Sequence, residues 1–501
     1  MSTTVNYKGS TITTVNNQTK TLTTAGTWLE GDIQLVDVTE GGAAVLSDET
    51  NVTGTTAVIT GDVPEYGTKT ITVNGTYSAE DDGLDGYSEV TVNVSGGSAE
   101  VPETVLKDVT LIDYDGTVLH EYTKTEFLAL TALPENPSHT GLVAQGWNWS
   151  LANAKTYVSK WDCLVIGQNY TTSDGKTRIY INVTDAFISI GNYFRLGFTC
   201  SVNGGAVIDW GDGSTTTSSG TGMVNYTHTY TTAGEYLVTI TVAEGATINL
   251  GFNGSNQGFF YFGNDNHPAK LLPTKIEIGN RVTRFNRNCF NGSINLKSIS
   301  IPNTITEIGN STGNGSTFAT TGITGLVIPN SVATIPTSLV SECNDLVFIS
   351  VPSSITAIGN SPFSAGALQS LRALTLPDTI TTFATAFSGI SYRCPKVEKF
   401  SCPCVREGIL ESGYFRENYY CRKIIIPASV TQINDYAMTS SCGLKEMYLL
   451  PETPPTIVNT RGMPYMSLTI YVPYSADHSI LEAYQTATNW SSYADRMVEM
   501  T

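Results

Sequence analysis

A phrase of eight residues recurs through the second half of the chain and restricts the fold more than any other feature. Ile301-Pro302-Asn303-Thr304-Ile305-Thr306-Glu307-Ile308 returns as Ile328-Pro329 to Ile335, Val351-Pro352 to Ile358, Leu376-Pro377 to Phe383 and Ile426-Pro427 to Ile433. Cys402-Pro403 to Ile409 is a degenerate copy, and Ile278-Gly279 to Phe285 has Gly in the Pro slot. The slots fall at 279, 302, 329, 352, 377, 403 and 427, in steps of 23, 27, 23, 25, 26 and 24 residues. Residues six, three and one before each slot are apolar, as in Leu296, Ile299, Ile301 and Leu346, Ile349, Val351. The last two positions alternate as on a short strand with one buried face. One such unit cannot bury its own apolar face, whereas stacked units can. Strand on strand at about 4.8 Å per turn makes a rod core about 30 Å long. Proline after each strand removes a ladder donor and ends the strand.

The pattern resembles the BspA-type leucine-rich repeats of bacterial and phage surface proteins over roughly residues 271–450. The phenylalanine usual in the second half of each unit stands at Phe290 and Phe415 and slides or vanishes elsewhere. The fold class expected for the whole chain is mainly β and multidomain: small β-modules, a PKD/Ig-like sandwich, then a leucine-rich-repeat solenoid with a C-terminal cap.

At 501 residues the chain is too long for one compact core. Charged residues are 14% and the net charge is −18, so a phosphate-tracking groove is not expected and nucleic acid is an unlikely partner. No stretch is long and apolar enough to span a membrane. The opening Met-Ser-Thr-Thr-Val-Asn-Tyr-Lys has no apolar run, so no secretory signal is expected. That favours a virion protein made in the host cytoplasm over an exported adhesin. Nine cysteines, at 163, 200, 289, 343, 394, 402, 404, 421 and 442, read as buried free thiols. Zinc at Cys394, Cys402 and Cys404 is disfavoured, because Cys402 fills a core column and no His is near; no cofactor is expected.

Residues 1–45 read as short strands, Ser10 to Val15, Lys20 to Thr23 and Asp32 to Val36, and resemble N-terminal anchoring modules of phage virion proteins. In residues 46–97, Lys69 to Tyr77 alternates as a strand turning at Asn74-Gly75, and Gly83 to Val94 is its partner. That phrase resembles a small β-module of phage tail and baseplate proteins. Asp81, Asp82 and Asp85 form a solvated acidic turn in preference to a calcium site, and Ser95 to Ser98 reads as a linker. Residues 98–175 read as a β-rich domain with one helix, Lys124 to Leu133. Its start, Val109 to Leu119, resembles the nucleophile motif of haloacid-dehalogenase-type phosphatases, with Asp113 as nucleophile and Asp115 as acid. That fold needs alternating strands and helices, and a hairpin turning at Asp115-Gly116 is preferred. The segment also resembles a recurring domain of phage tail proteins. Trp147 and Trp149 are assigned to a core. Residues 176–250 resemble a PKD-type immunoglobulin-like domain through Val207-Ile208-Asp209-Trp210-Gly211-Asp212-Gly213, Tyr226 to Tyr230 and Ala233 to Val242. Asp209 and Asp212 are expected to fix the turn. Residues 251–450 hold the repeats. Residues 451–501 resemble the cap of BspA-type arrays, with a last strand at Thr469 to Pro473 and a helix capped by Asp477.

On each repeat strand the residues two and four before the slot should point away from the core. Val327, Phe348 and Ile425 are the large apolar exceptions on that otherwise small and polar face, and Lys399 and Lys423 are adjacent cations. These five residues are the candidate ligand contacts; no catalytic or metal-binding set is assigned. The expected function is a non-enzymatic phage virion protein, in the tail, baseplate or a head-attached fibre, adhering to the host surface. Its N-terminal modules would hold other virion proteins, and its repeats would hold a host surface protein or glycan. By analogy with fibrous attachment proteins it would be a homotrimer. The alternatives are a bacterial BspA-like surface adhesin and, more remotely, a phosphatase using Asp113 and Asp115. Removing residues 1–97 is expected to abolish incorporation into particles while the repeats keep their thermal transition, as read by circular dichroism of the truncated chain.

Overall fold

The computed structural model describes the backbone of the strands within residues 1–98, and residues 106–501 apart from 192, 253–257, 261–266, 310–314, 364–367, 385–393, 395, 417, 419, 440, 442, 460–461, 465–467 and 501. The chain is mainly β. Near the start, Thr3–Tyr7, Ser10–Thr14, Ile33–Val36 and Ala43–Val45 form one antiparallel sheet. Tyr66–Tyr77 pairs antiparallel with Tyr87–Ser98 in a second. Two expectations change here. The strand runs straight through Asn74-Gly75 to Tyr77, and Ser95 to Ser98 is not a linker, because Ser95 and Ser98 pair with Thr70 and Tyr66. Asp81, Asp82, Asp85 and Cys442 lie outside the described residues.

The repeats form a solenoid. Pro273–Glu277 and Ser298–Ser300 are its first two strands on the main face. Gly325–Val327, Phe348–Ser350, Ala373–Thr375 and Lys399–Ser401 follow as a second parallel ladder. Lys423–Ile426, Glu446–Leu449, Thr469–Val472 and Met497–Glu499 are a third. The ladder thus runs past the seven units visible in the sequence, through Thr469–Val472 and the C-terminal strand. Ile301, Ile328, Val351, Leu376 and Ile426 form one buried column, as the alternation requires. Phe290 and Phe415 are buried with them. The sandwich before the repeats has no separate core. Its sheet of Thr177–Val183, Ala206–Asp209, Thr215–Thr217 and Gly234–Val242 continues directly into the first solenoid strands. One apolar cluster extends from Ile179 to Met497. Asp209 and Asp212 brace the turn after Asp209 by accepting from Gly211 N and Ser214 N, and Trp210 is buried. At the far end, helix Ser479–Thr486 lays Tyr484 into the core; its N-cap is His478, in a left-handed conformation with no side-chain cap bond, and not the expected Asp477, which accepts from Ser479 N at 3.1 Å.

Residues 106–172 fold back over the solenoid. Val109–Ile112 and Val118–Tyr122 make the hairpin, and Thr123 caps helix α1 (Lys124–Ala129) with a reciprocal bond to Glu126. Only one helix, to Leu133, was expected here; α1 stops at Ala129 and a second helix, α2 (Leu151–Trp161), is present. The strand Leu164–Thr172 is buried at every position, although it carries Gln168, Asn169, Thr171 and Thr172. Both of its faces are covered. Leu164 and Ile166 join Phe127, Tyr157 and Val158 in the module's own core, while Val165 meets Val327, Phe348 and Ala373 of the solenoid. Thr171 donates to Ile278 O, and Asn169 to Ile301 O at 3.1 Å. Val165 N reaches Thr375 Oγ1 at 3.1 Å. Two strand residues span about 6.6 Å and one solenoid turn about 4.8 Å, so the strand crosses the ladder obliquely at about one turn per two residues. At the crossing, Gly167 lies so close that a Cβ would fall 2.5 Å from a methyl of Val327. Gly325 admits residues 115–116 of the hairpin turn in the same way.

Ile349→Asp is expected to prevent folding or cost several kcal/mol, since it buries an unpaired charge in a fully enclosed column. Gly167→Val is expected to lower the melting temperature and expose the module's helices to proteolysis while the repeat cores persist. Limited proteolysis with mass spectrometry separates the two outcomes.

Candidate binding face

Each strand of the main solenoid ladder sends alternate side chains outward, and those positions hold the candidate contacts. Over the first six turns the expectation of a solvated face fails. Glu277, Ser300, Val327, Ser350, Thr375 and Ser401 are all buried, because the module of residues 106–172 lies on them. Val327 and Phe348 are each 2% exposed, sealed under Leu106, Ile112 and Val165. They therefore cannot touch an external ligand in this arrangement. Lys399 is engaged too, with its Nζ 2.8 Å from Asp108 Oδ1. Burial opposes the charge on Lys399, but the Asp108 carboxylate outweighs it and holds the pKa above the usual ammonium value.

The module is held by more than apolar contact. In the first five turns the residue before the proline or glycine slot offers its carbonyl toward the module. Asn148 Nδ2 donates to Ile328 O at 3.0 Å, Trp149 Nε1 to Val351 O at 2.9 Å and Tyr157 OH to Leu376 O at 2.6 Å. Trp149 is thus a core and docking residue; Trp147 Nε1 donates within the module, to Pro134 O. Ser350 Oγ bonds both Val165 O and Asn148 Oδ1. The sequence signal for this contact was present in the uncharacteristic polar content of an otherwise strand-like run, Gln168, Asn169, Thr171 and Thr172.

The cover ends at the turn of Lys423–Ile426. Asp162, at the C-terminal end of α2, bridges Lys124 at 2.6 Å and Lys423 at 2.5 Å. Burial works against the Asp162 carboxylate, and the two ammonium groups overcome it and hold its pKa below the usual range. Beyond this clamp the outward column continues, uncovered among the described residues, as Ile425, Tyr448, Tyr471 and Val498, paired in parallel register. The first three are half-buried and Val498 is 42% exposed. Tyr448 and Tyr471 stack with centroids 4.3 Å apart and planes 10° from parallel. Lys423 Nζ sits 4.2 Å from the Tyr448 centroid. Burial, then the charge of Glu446, pushes the Tyr448 phenol up to about 12. Of the five candidates, Lys423 and Ile425 border this open stretch and the other three do not. Tyr448 and Tyr471 were missed because the repeat slots were counted only as far as Pro427: an extra residue, Leu450, shifts the next proline to 451, and Tyr471 stands two before Pro473 in a strand read as part of the cap.

The paired carboxylates in the hairpin do other work. Asp113 is buried, accepts from Tyr114 N at 2.8 Å and meets His139 Nε2 at 2.7 Å. Asp115 accepts from Thr117 N at 3.0 Å, and its carbonyl takes the hydroxyl of Thr324. The two aspartates hold a tight turn against the solenoid, between the antiparallel strands Val109–Ile112 and Val118–Tyr122. On the opposite ridge, the ladder is interrupted between Thr382–Phe383 and Ile409–Leu410. There residues 406–409 form a tight turn, with Ile409 N donating to Arg406 O and with φ positive at Glu407 and Gly408. The departure opens a cavity of about 480 Å³ beside Phe383, Cys404 and Arg406. Among the described residues, eight cysteines are buried and free, and no cluster of His, Cys, Asp or Glu is placed to hold a metal.

The BspA type leucine rich repeat region matches residues 270–393 and 369–457, in six copies. No curated protein matches the chain in sequence. Among solved structures, a leucine-rich repeat protein from Bacteroides ovatus is 15% identical, with a TM-score of 0.26, over 46% of this chain and 66% of that one, just under two thirds. A leucine rich cell surface protein from Faecalibacterium prausnitzii is 16% identical, with a TM-score of 0.23, over 45% and 84%. The pneumococcal vaccine antigen PcpA is 12% identical, with a TM-score of 0.16, over 50% and 82%. Scores this low do not establish a shared overall fold.

Phe348→Ala is expected to cost about 3 kcal/mol of stability as a cavity-forming change, read as a lowered denaturation midpoint. Lys423→Glu sets a like charge against Asp162 and is expected to loosen α2 from the rod. The Asp162 carboxylate has a depressed pKa, so its contribution is present above about pH 4, the unfolded value, and is lost as pH falls through the folded pKa. Asp162→Asn should flatten that part of the acid transition.

Proposed function

We propose that the chain is a non-enzymatic adhesion protein that meets its target with the last turns of the solenoid, through the column Ile425, Tyr448, Tyr471 and Val498. One observation carries this reading: the same outward face is sealed by the protein's own module over six turns and left open, with aromatic and aliphatic residues, over the remainder. Monomeric soluble proteins rarely present contiguous apolar strips without use. The BspA type repeat match supports a surface-adhesin role in general terms.

The finer reading is a phage virion protein whose residues 1–98 attach it to the particle. It rests on the resemblance of the N-terminal strand phrases to phage modules. The sandwich of residues 176–250 would then act as a PKD-type spacer fused to the rod. The bacterial surface adhesin remains the second reading, favoured by the same repeat match. Antibodies raised to residues 106–501 should decorate intact virions, and decoration of the producing cell instead would select the bacterial reading. In either case, Tyr471→Ser is expected to reduce retention of the purified chain on host cells without shifting its melting temperature. Unchanged retention would remove the open column as the contact surface.

A further inference from the structure

The packing of the open column narrows what can bind it, and the argument rests on that column being the contact surface. Tyr448 lies on the strand between those of Lys423 and Tyr471. One face of its ring is taken by the Lys423 ammonium and the other by the Tyr471 ring. A sugar ring recognised by an aromatic residue lays its C–H groups on a free π face. Tyr448 has none, and the remaining face of Tyr471 points along the column toward Val498, its register partner. The column therefore presents ring edges and branched aliphatic flanks: a corrugated apolar ridge rather than a stacking platform.

The chain itself shows what packs on this column elsewhere. Over the first five turns the main occupant is an extended strand, Leu164–Thr172, laid obliquely along the rod with every second side chain turned to the solenoid, and Asn148, Trp149 and Tyr157 pack beside it. The open column is the direct continuation of that interface. Its backbone differs in one respect. The carbonyls that the module bonds in the covered turns are here already used, Ile426 O by Leu450 N at 3.0 Å and Val472 O by Met500 N at 2.8 Å. A second occupant must therefore be selected by side chains. Glu446 stands in the flanking column, between Lys423 and Thr469, and has no cationic partner among the described residues. Lys423, by contrast, is already held by Asp162.

We propose that the column Ile425, Tyr448, Tyr471, Val498 receives an extended polypeptide segment of a partner protein, apolar at alternate positions and carrying a Lys or Arg that meets Glu446. The partner is thus bound as the chain binds its own strand, and a glycan is not the ligand of this face.

The test pans the full chain against a random linear-peptide display library and, in parallel, against a glycan array. Peptides with alternating apolar residues and a basic residue should be enriched. Their affinity should fall about tenfold or more with Tyr471→Ser and with Val498→Asp, and survive Tyr471→Phe. Glu446→Gln should reduce binding of the basic peptides selectively. Thermal melts of each variant separate loss of binding from loss of fold. Glycans captured by the wild type and lost with Tyr471→Ser would overturn the peptide assignment while leaving adhesion through the column standing. No enriched peptide, or enriched peptides indifferent to both substitutions, would overturn it as well.

Discussion

Five strand-ending carbonyls, at Ile278, Ile301, Ile328, Val351 and Leu376, fix how the rest of this molecule is arranged. Each of these five turns stops its strand with proline or, once, glycine, and the carbonyl just before that residue is left facing outward. In the finished protein these carbonyls are buried, and a buried carbonyl without a donor costs about 1–3 kcal/mol. Thr171, Asn169, Asn148, Trp149 and Tyr157 supply the donors, in order along the rod. The match is one of spacing as well as chemistry. A residue inserted in the crossing strand would turn its polar side chains into the module's own core and its apolar ones onto the acceptors.

The module also bridges interruptions in the solenoid. The parallel ladder is not continuous: the strand Ser298–Ser300 and the strand Gly325–Val327 belong to separate sheets, as do Lys399–Ser401 and Lys423–Ile426. Asn169 spans the first break by reaching Ile301 O and, more weakly, Val327 O. Asp162 and Tyr157 hold the two sides of the second, through Lys423 and Ser401. Lateral packing there adds to the few hydrogen bonds left between the turns, such as Thr324 N to Lys297 O at 3.2 Å across the first break.

The solenoid was legible in the sequence because its columns are local and periodic. Ile301, Ile328, Val351, Leu376 and Ile426 are each placed by neighbours one turn away, and the period states that relation directly. The cover was not legible, because it joins residues separated in sequence by 100 to more than 200 positions, as in Thr171 with Ile278 or Tyr157 with Ser401. Nothing in the alternation of Val327 or Phe348 distinguishes an exposed apolar residue from one awaiting a partner. The polar residues of Leu164–Thr172 were the available clue, since a strand with hydrophobic neighbours that carries Gln168, Asn169, Thr171 and Thr172 needs partners somewhere. Asp113 and Asp115 show the opposite hazard. Their spacing fits a phosphoryl-transfer site equally well, and only the antiparallel pairing of the flanking strands assigns them to a turn.

The point where the chain joins the solenoid has a mechanical consequence. Leu106 is fastened beside the sixth turn, its N–H donated to Glu398 at 2.7 Å with Asp108 on Lys399. A pull transmitted from the N-terminal strands therefore reaches the rod near its middle, not at either tip. Load is applied crosswise, as on a lever with its pivot at Lys399. It falls first on a shear-loaded set of parallel bonds between the crossing strand and the turns, which must yield together before any single turn can unwind.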